Sequence, residues 1–143
     1  MARRRRSYRR FALLIICVVA AVLVFPRGGD RLWRAVVQVE SSGNPKARNA
    51  ASDAVGIAQI TKVLVDDCNR ILGKRRFTYD DRWDPAKSRR MFDVYLGYWG
   101  KQYERQTGKR CTDEMRARMW NGGPRGWELR STEEYWRRVK QHY

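Results

Sequence analysis

From residue 30 onward, apolar positions recur at intervals of three and four in several separate stretches, the spacing of helices with one buried face. Leu32, Trp33, Val36, Val37 and Val39 form the first stripe, and Asp30 stands where a capping carboxylate would start it. This helix is predicted to end near Glu40. Ser41-Ser42-Gly43-Asn44-Pro45 follows, in which glycine and proline punctuate the chain and the proline restrains Asn44. Residues 46–56 are small and polar, without helical period, and read as a loop or a short hairpin. Ile60, Val63, Leu64, Cys68 and Ile71 make a second stripe, predicting a helix over 57–72 with Gly73 as its stop.

Asp84-Pro85 is a cap followed by proline at the first helical position. Met91, Tyr95, Tyr98, Trp99 and Gln102 then continue a long amphipathic helix, and the aromatic stripe reads as core. Thr112 caps the next helix, with Asp113 and Glu114 in its first turn, and Asn121-Gly122-Gly123-Pro124 ends it. Ser131 with Glu134 fits a capping box for a last helix carrying Tyr135, Trp136 and Val139. The expected fold is mainly α, with at most one short β-hairpin.

The start of the chain differs in kind. Residues 11–25, FALLIICVVAAVLVF, are an uncharged apolar run directly after six arginines, closed by Pro26, Gly28 and Gly29. This is a targeting element. Its length suits a signal-peptide core and falls short of the roughly 20 residues of a relaxed membrane span. No clear small-residue cleavage site follows. The segment is therefore read as an uncleaved single-pass anchor with its arginines cytoplasmic and the domain exported; cleavage and secretion are the alternative. The expected division is 1–27 as leader and 28–143 as one domain of about 115 residues, enough for one modest core.

Within 143 residues, 43% are hydrophobic and 12% aromatic, the composition of a packed globule. The formal net charge of +16 is inflated by the leader. Setting aside Arg3, Arg4, Arg5, Arg6, Arg9, Arg10 and Arg27 from the 31 basic residues leaves 24 against 15 acids, about +9. That favours an anionic partner: nucleic acid, an acidic membrane, or a wall rich in carboxylates and phosphates. No helix-turn-helix or aromatic RNA-binding motif accompanies the charge, so specific nucleic-acid binding is not expected. Export puts Cys68 and Cys111 in an oxidising compartment, where a pair predicts a disulfide worth about 4 kcal/mol by chain entropy; two free buried thiols are the alternative. A metal site is not expected, since His142 is the only histidine and no C-x-x-C occurs.

Glu40 is the odd residue of this plan. It falls one turn after Val36 and extends an apolar face just where a loop of small residues begins. Partial burial raises a carboxyl pKa, which is what a general acid requires to hold its proton near neutrality. A lone Glu at a helix end is more often a solvated terminus, so its neighbours carry the argument.

Those neighbours give the stretch a likeness. Glu40-Ser41 with Gly43-Asn44-Pro45-Lys46-Ala47 resembles the catalytic "ES...NP.A" stretch of the lysozyme-like lytic transglycosylases of the SLT family, and more distantly goose-type lysozymes. Gly56-Ile57-Ala58-Gln59-Ile60 is similar to that family's "GLMQI" motif, and Trp120-Asn121-Gly122-Gly123 to its "AYNGG" motif. Trp83-Asp84-Pro85, with Tyr95-Leu96 later, resembles its weaker "DP...YL" segment. Together these cover about residues 31–125.

The resemblance implies a lysozyme-like α+β fold, peptidoglycan glycan strands as substrate, no cofactor, and a monomer. It further implies Glu40 as acid/base, Ser41 and Gln59 as residues that position it or the sugar, and Asn121 at the cleft. An amide offers a donor and an acceptor to an N-acetyl group, and Trp120 a flat apolar face to a sugar ring. Ala58, Trp120 and Met119 replace the usual Met, Tyr and Ala, reshaping the cleft wall around Ala58 and Trp120. A lytic transglycosylase needs one carboxyl; hydrolysis needs a water-activating partner. Asp53 lies where the family pattern usually has glycine, and is the candidate second carboxylate for a lysozyme-type outcome. A turn Asp bonding its own backbone is the plainer reading of Asp53. A non-catalytic wall-binding module is the third reading.

Overall fold

The computed structural model describes residues 29–143. The apolar leader and its anchor reading lie outside the described residues. Among the described residues, no helix is long and apolar enough to cross a membrane. Five helices and one two-stranded antiparallel hairpin follow in the order α1 (Gly29–Ser41), β1 (Arg48–Asn49), β2 (Ala54–Val55), α2 (Lys62–Leu72), α3 (Pro85–Thr107), α4 (Asp113–Gly122) and α5 (Ser131–Gln141). Short 3-10 turns at Tyr79–Trp83 and Gly126–Glu128 lead into α3 and α5.

The apolar stripes become one core. Leu32, Ala35 and Val36 of α1, Val65 and Cys68 of α2, Met91, Phe92, Tyr95 and Leu96 of α3, Ala117, Met119 and Trp120 of α4 and Tyr135 and Val139 of α5 are all buried in it. In α3 the buried positions fall at three- and four-residue spacing, so a single long helix forms a wall against which α2 and α4 pack. Asp84 caps α3 by accepting from the Ala86 and Lys87 amides at 2.8 and 3.0 Å, with Pro85 at the first helical position. Thr112 caps α4 through the Met115 amide at 3.3 Å.

Three predicted boundaries move. The helix expected from residue 57 begins only at Lys62, capped by Thr61. Residues 56–60 instead form a tight turn in which Val55 and Ile60 exchange backbone hydrogen bonds of 3.1 and 2.9 Å. Gly56 and Gln59 there have φ of +77° and +51°, which breaks any helical run. Consequently Val63 is on the outside, 77% exposed, rather than in the stripe. The proposed capping box at Ser131 is absent, because α5 grows out of the preceding 3-10 turn and its first amides bond Leu129 and Arg130 carbonyls. Asp30 lies inside α1 rather than before it, as a first-turn acid paired with Arg89 at 2.8 Å.

The expected Cys68–Cys111 disulfide is not formed; both are free and buried. Each thiol meets α3, but at different levels. Cys68 Sγ donates to the Met91 carbonyl at 3.5 Å, whereas Cys111 Sγ sits against Gly100. Nine residues of helix rise separate those levels, about 13 Å, beyond disulfide reach. Burial, with Asp67 adding to it, pushes the Cys68 thiol up to about 12, and burial raises Cys111 as well. With Cys17 replaced by Ser, both remaining thiols should react with a thiol reagent only after unfolding, and a reductant should leave the Tm unchanged; a reductant-sensitive Tm would indicate a bond.

Candidate active site

α1 delivers Glu40 to the edge of a cleft of about 1010 Å³, and α4 and the 56–60 turn deliver the facing groups. Glu40, Gln59, Tyr95, Trp99, Trp120 and Asn121 all line it. Glu40 sits on the buried face because four residues separate it from Val36, which is fully buried. Its Oε1 accepts a 2.7 Å hydrogen bond from the hydroxyl of Tyr135, which α5 presents from the far end of the chain. Burial raises the Glu40 carboxyl above the ordinary carboxylate range, while the Tyr135 hydrogen bond and the Arg138 charge partly oppose that rise. Arg138 lies 5.6 Å from the centre of the Tyr135 ring, so the two groups that favour the anion stand together.

Gln59 is held in its left-handed conformation by the turn itself, and its Nε2 donates to the Gly56 carbonyl at 3.0 Å. Gly56 has no alternative at that place. A Cβ there would sit 2.0 Å from the Arg82 carbonyl oxygen, and its φ is +77°. Ser41 does not line the cleft; its hydroxyl donates to the Ile57 carbonyl at 2.7 Å and so pins the end of α1 to the Gln59 turn. Ala58 is fully buried and likewise does not line the cleft. Trp120 is 8% exposed, wedged between Phe92 at 4.9 Å and Tyr95 at 6.0 Å, with its remaining surface in the cleft. Asn121 is exposed at the end of α4.

Asp53 is turned elsewhere. Its carboxylate lies 3.3 Å from the buried Arg82 and 3.7 Å from Lys62, and it is not among the lining residues. Arg82 also donates to the Asp53 and Ile60 carbonyls at 2.9 and 3.3 Å, so the acid belongs to the bracket that ties hairpin to turn.

Sequence reasoning passed over several site residues. Tyr135 read as core, and it is core, but a buried phenol needs a partner for its hydroxyl, which was the available signal. Trp99, also read as core, reaches the cleft and donates from Nε1 to Asp67 at 2.9 Å. Asp67 is further paired with Arg70 through Nε at 2.8 Å, and Asp66 accepts from Tyr79 at 3.1 Å. No local pattern marks these.

Two consequences can be measured. Tyr135→Phe should cost about 1–2 kcal/mol in urea unfolding, because it leaves the buried carboxyl without its donor. Glu40 binds its proton more tightly folded than unfolded, so its contribution to stability is full below about 4.5, the ordinary value, and is lost as pH rises through the folded value. Glu40→Gln should therefore gain stability relative to wild type at neutral pH and lose that advantage at pH 4, followed by Tm across the range.

The family model of the transglycosylase SLT domain matches residues 27–119. Lysozyme 1 of Crassostrea virginica is 33% identical over 109 residues, covering 75% of this chain and 55% of that protein, so the chain spans about half the length of this curated relative. The matched segment includes Glu40, the Gln59 turn and α3, and stops at Met119, immediately before the α4 residues that close the cleft. On that match the chain belongs to the transglycosylase SLT domain family.

Proposed function

We propose that this chain cuts the β-1,4 bond between N-acetylmuramic acid and N-acetylglucosamine in peptidoglycan, as a lytic transglycosylase with Glu40 as its single acid/base. The observation that carries the reading is the contrast among nearby carboxyls. Glu40 is desolvated, which raises its carboxyl above the ordinary value, while Asp67 and Asp53 are bound to cations and Asp66 to a phenol. One group in the cleft is thus suited to give up a proton at a buried site.

In this mechanism Glu40 protonates the bridging oxygen as the C1–O4 bond breaks, and the N-acetylglucosamine leaves with that proton. The acetamido group of the substrate stabilises the cationic C1. Glu40, now a carboxylate, takes the proton from the muramic 6-hydroxyl, and O6 closes on C1 to give a 1,6-anhydro end. Tyr135 and Arg138 steady the anionic stage. Gln59 and Asn121 address the N-acetyl groups, Trp120 carries a sugar face, and Ser41 positions the turn opposite Glu40.

A second reading is hydrolysis, favoured by the name of the relative, Lysozyme 1. Water would then attack C1, and Asp53 would have to leave Arg82 and Lys62 to serve as its base. A wall-binding module without catalysis would have no use for a buried carboxyl whose raised affinity for its proton costs stability at neutral pH. The site of action proposed is outside the cytoplasm, with residues 1–27 as exporting leader or anchor, residues 28–143 as the domain, and the protein a monomer.

Glu40→Gln should abolish clearing in a peptidoglycan zymogram, a loss on the order of a thousandfold. Mass analysis of wild-type digests should show anhydro-muramic ends, unaltered by Asp53→Asn. Hydrated reducing ends that vanish in Asp53→Asn would establish the hydrolytic reading instead. Activity should decline as pH rises through the Glu40 value, and Tyr135→Phe, which removes a bond favouring the anion, should move that decline to higher pH.

A further inference from the structure

The domain is strongly basic, yet much of its charge is spent internally. Arg70, Arg82, Arg89, Arg116 and Arg118 all sit in ion pairs. Lys74, Arg75 and Arg76 are different: three consecutive exposed cations with no ion pair among the described residues. The backbone that carries them is tied down. Gly73 closes α2 in a left-handed conformation, and the Asn69 side chain accepts from the Arg76 and Phe77 amides at 2.8 and 2.9 Å and donates to the Phe77 carbonyl at 2.9 Å. The Lys74, Arg76 and Phe77 amides are thus all bonded to Asn69, leaving the charged side chains to solvent.

Lys74 and Arg75, with Asn69, Phe77 and Tyr79, line a depression of about 410 Å³. Asp66 lines both this depression and the Glu40 cleft, so the two are adjoining. Of the bases without an ion pair among the described residues, Lys74 and Arg75 line the depression, whereas Arg76 beside them and Lys101, Arg105, Lys109 and Arg110 line neither it nor the cleft. Position, not charge alone, singles out Lys74 and Arg75, with Arg76 next to them in the same loop.

We propose that the 74–76 loop is a subsite for the carboxylates of the peptide stems that a glycan strand carries as it leaves the cleft. The inference rests on the peptidoglycan reading above and assigns to it the recognition of the peptide, which Glu40 and the two amides do not provide. Charge complementarity selects the partner: stems carry free carboxylates, and three cations on a backbone already fixed meet them without the loop first having to be ordered.

The test is binding in the Glu40→Gln background, which needs no turnover. Cosedimentation with intact cell walls at low salt should weaken on the order of tenfold when Lys74→Gln, Arg75→Gln and Arg76→Gln are combined, as expected for three exposed pairs of about 0.5 kcal/mol each. On strands freed of their stems by an amidase, the two proteins should bind alike. An equal loss on both substrates, or no loss on intact walls, overturns the proposal. A loss that disappears only when phosphate polymers are stripped from the wall assigns the loop to those polymers and overturns it too. Failure of the parent protein to bind even stem-free strands would strike the peptidoglycan reading itself.

Discussion

A hydrogen bond of 2.7 Å between Tyr135 and Glu40 joins α5 to α1 across 95 residues of sequence, and the chemistry proposed for the cleft depends on it. Without a donor, a carboxyl in that place would be both costly and free to turn away. Keeping Tyr135 in range is a task for α4 and the turn after it. The buried Arg118 donates to the Thr132 hydroxyl at 3.0 Å and the Leu129 carbonyl at 3.1 Å, and Thr132 donates to the Gly126 carbonyl at 2.7 Å. Two glycines permit this closeness. A Cβ at Gly122 would come within 2.6 Å of Thr132, and one at Gly126 within 2.1 Å of the Arg118 carbonyl oxygen.

The opposite wall is fixed by equally short links. Ser41 ties the end of α1 to Ile57, and Arg82 ties the hairpin to the same turn. The two walls share α1, whose end must be buried on one side and bonded to the turn on the other. That requirement explains why the helix stops where it does: Ser42 and Gly43 both take left-handed φ, of +53° and +80°, and send the chain off toward the hairpin. Glu40 is thus the last position that can be helical, apolar-facing and beside an open cleft together.

Much of this was readable from sequence because it is local. Caps at Asp84 and Thr112, the glycine stop at 73 and the hairpin between 46 and 56 each depend on a few adjacent residues. Glu40 stood out because its position in a periodic stripe can be counted. The errors share a physical origin. The 57–61 segment has apolar residues at helical spacing, but Gly56 answers to a close approach of Arg82 that is distant in sequence, and the turn it makes holds Gln59 left-handed. The cysteines were paired by compartment, whereas α3 holds them at different levels. Tyr135 and Trp99 showed their apolar rings in the pattern, and their polar ends find partners 95 and 32 residues away.

The electrostatic design follows from the same geometry. A carboxyl on a domain with so many cations would ordinarily be held as the anion, yet burial is the largest influence on Glu40 and raises it, with Tyr135 and Arg138 opposing. Burial favours the neutral carboxyl, and the phenol and the guanidinium favour the carboxylate. In the proposed mechanism the first serves the step that gives the proton and the second the anion left behind. A more exposed Glu40 would bind its proton less tightly, and one without Tyr135 and Arg138 more tightly. The balance between the two states of the carboxyl is therefore set by burial from the first helix's neighbours and by two groups that α5 brings from far along the chain.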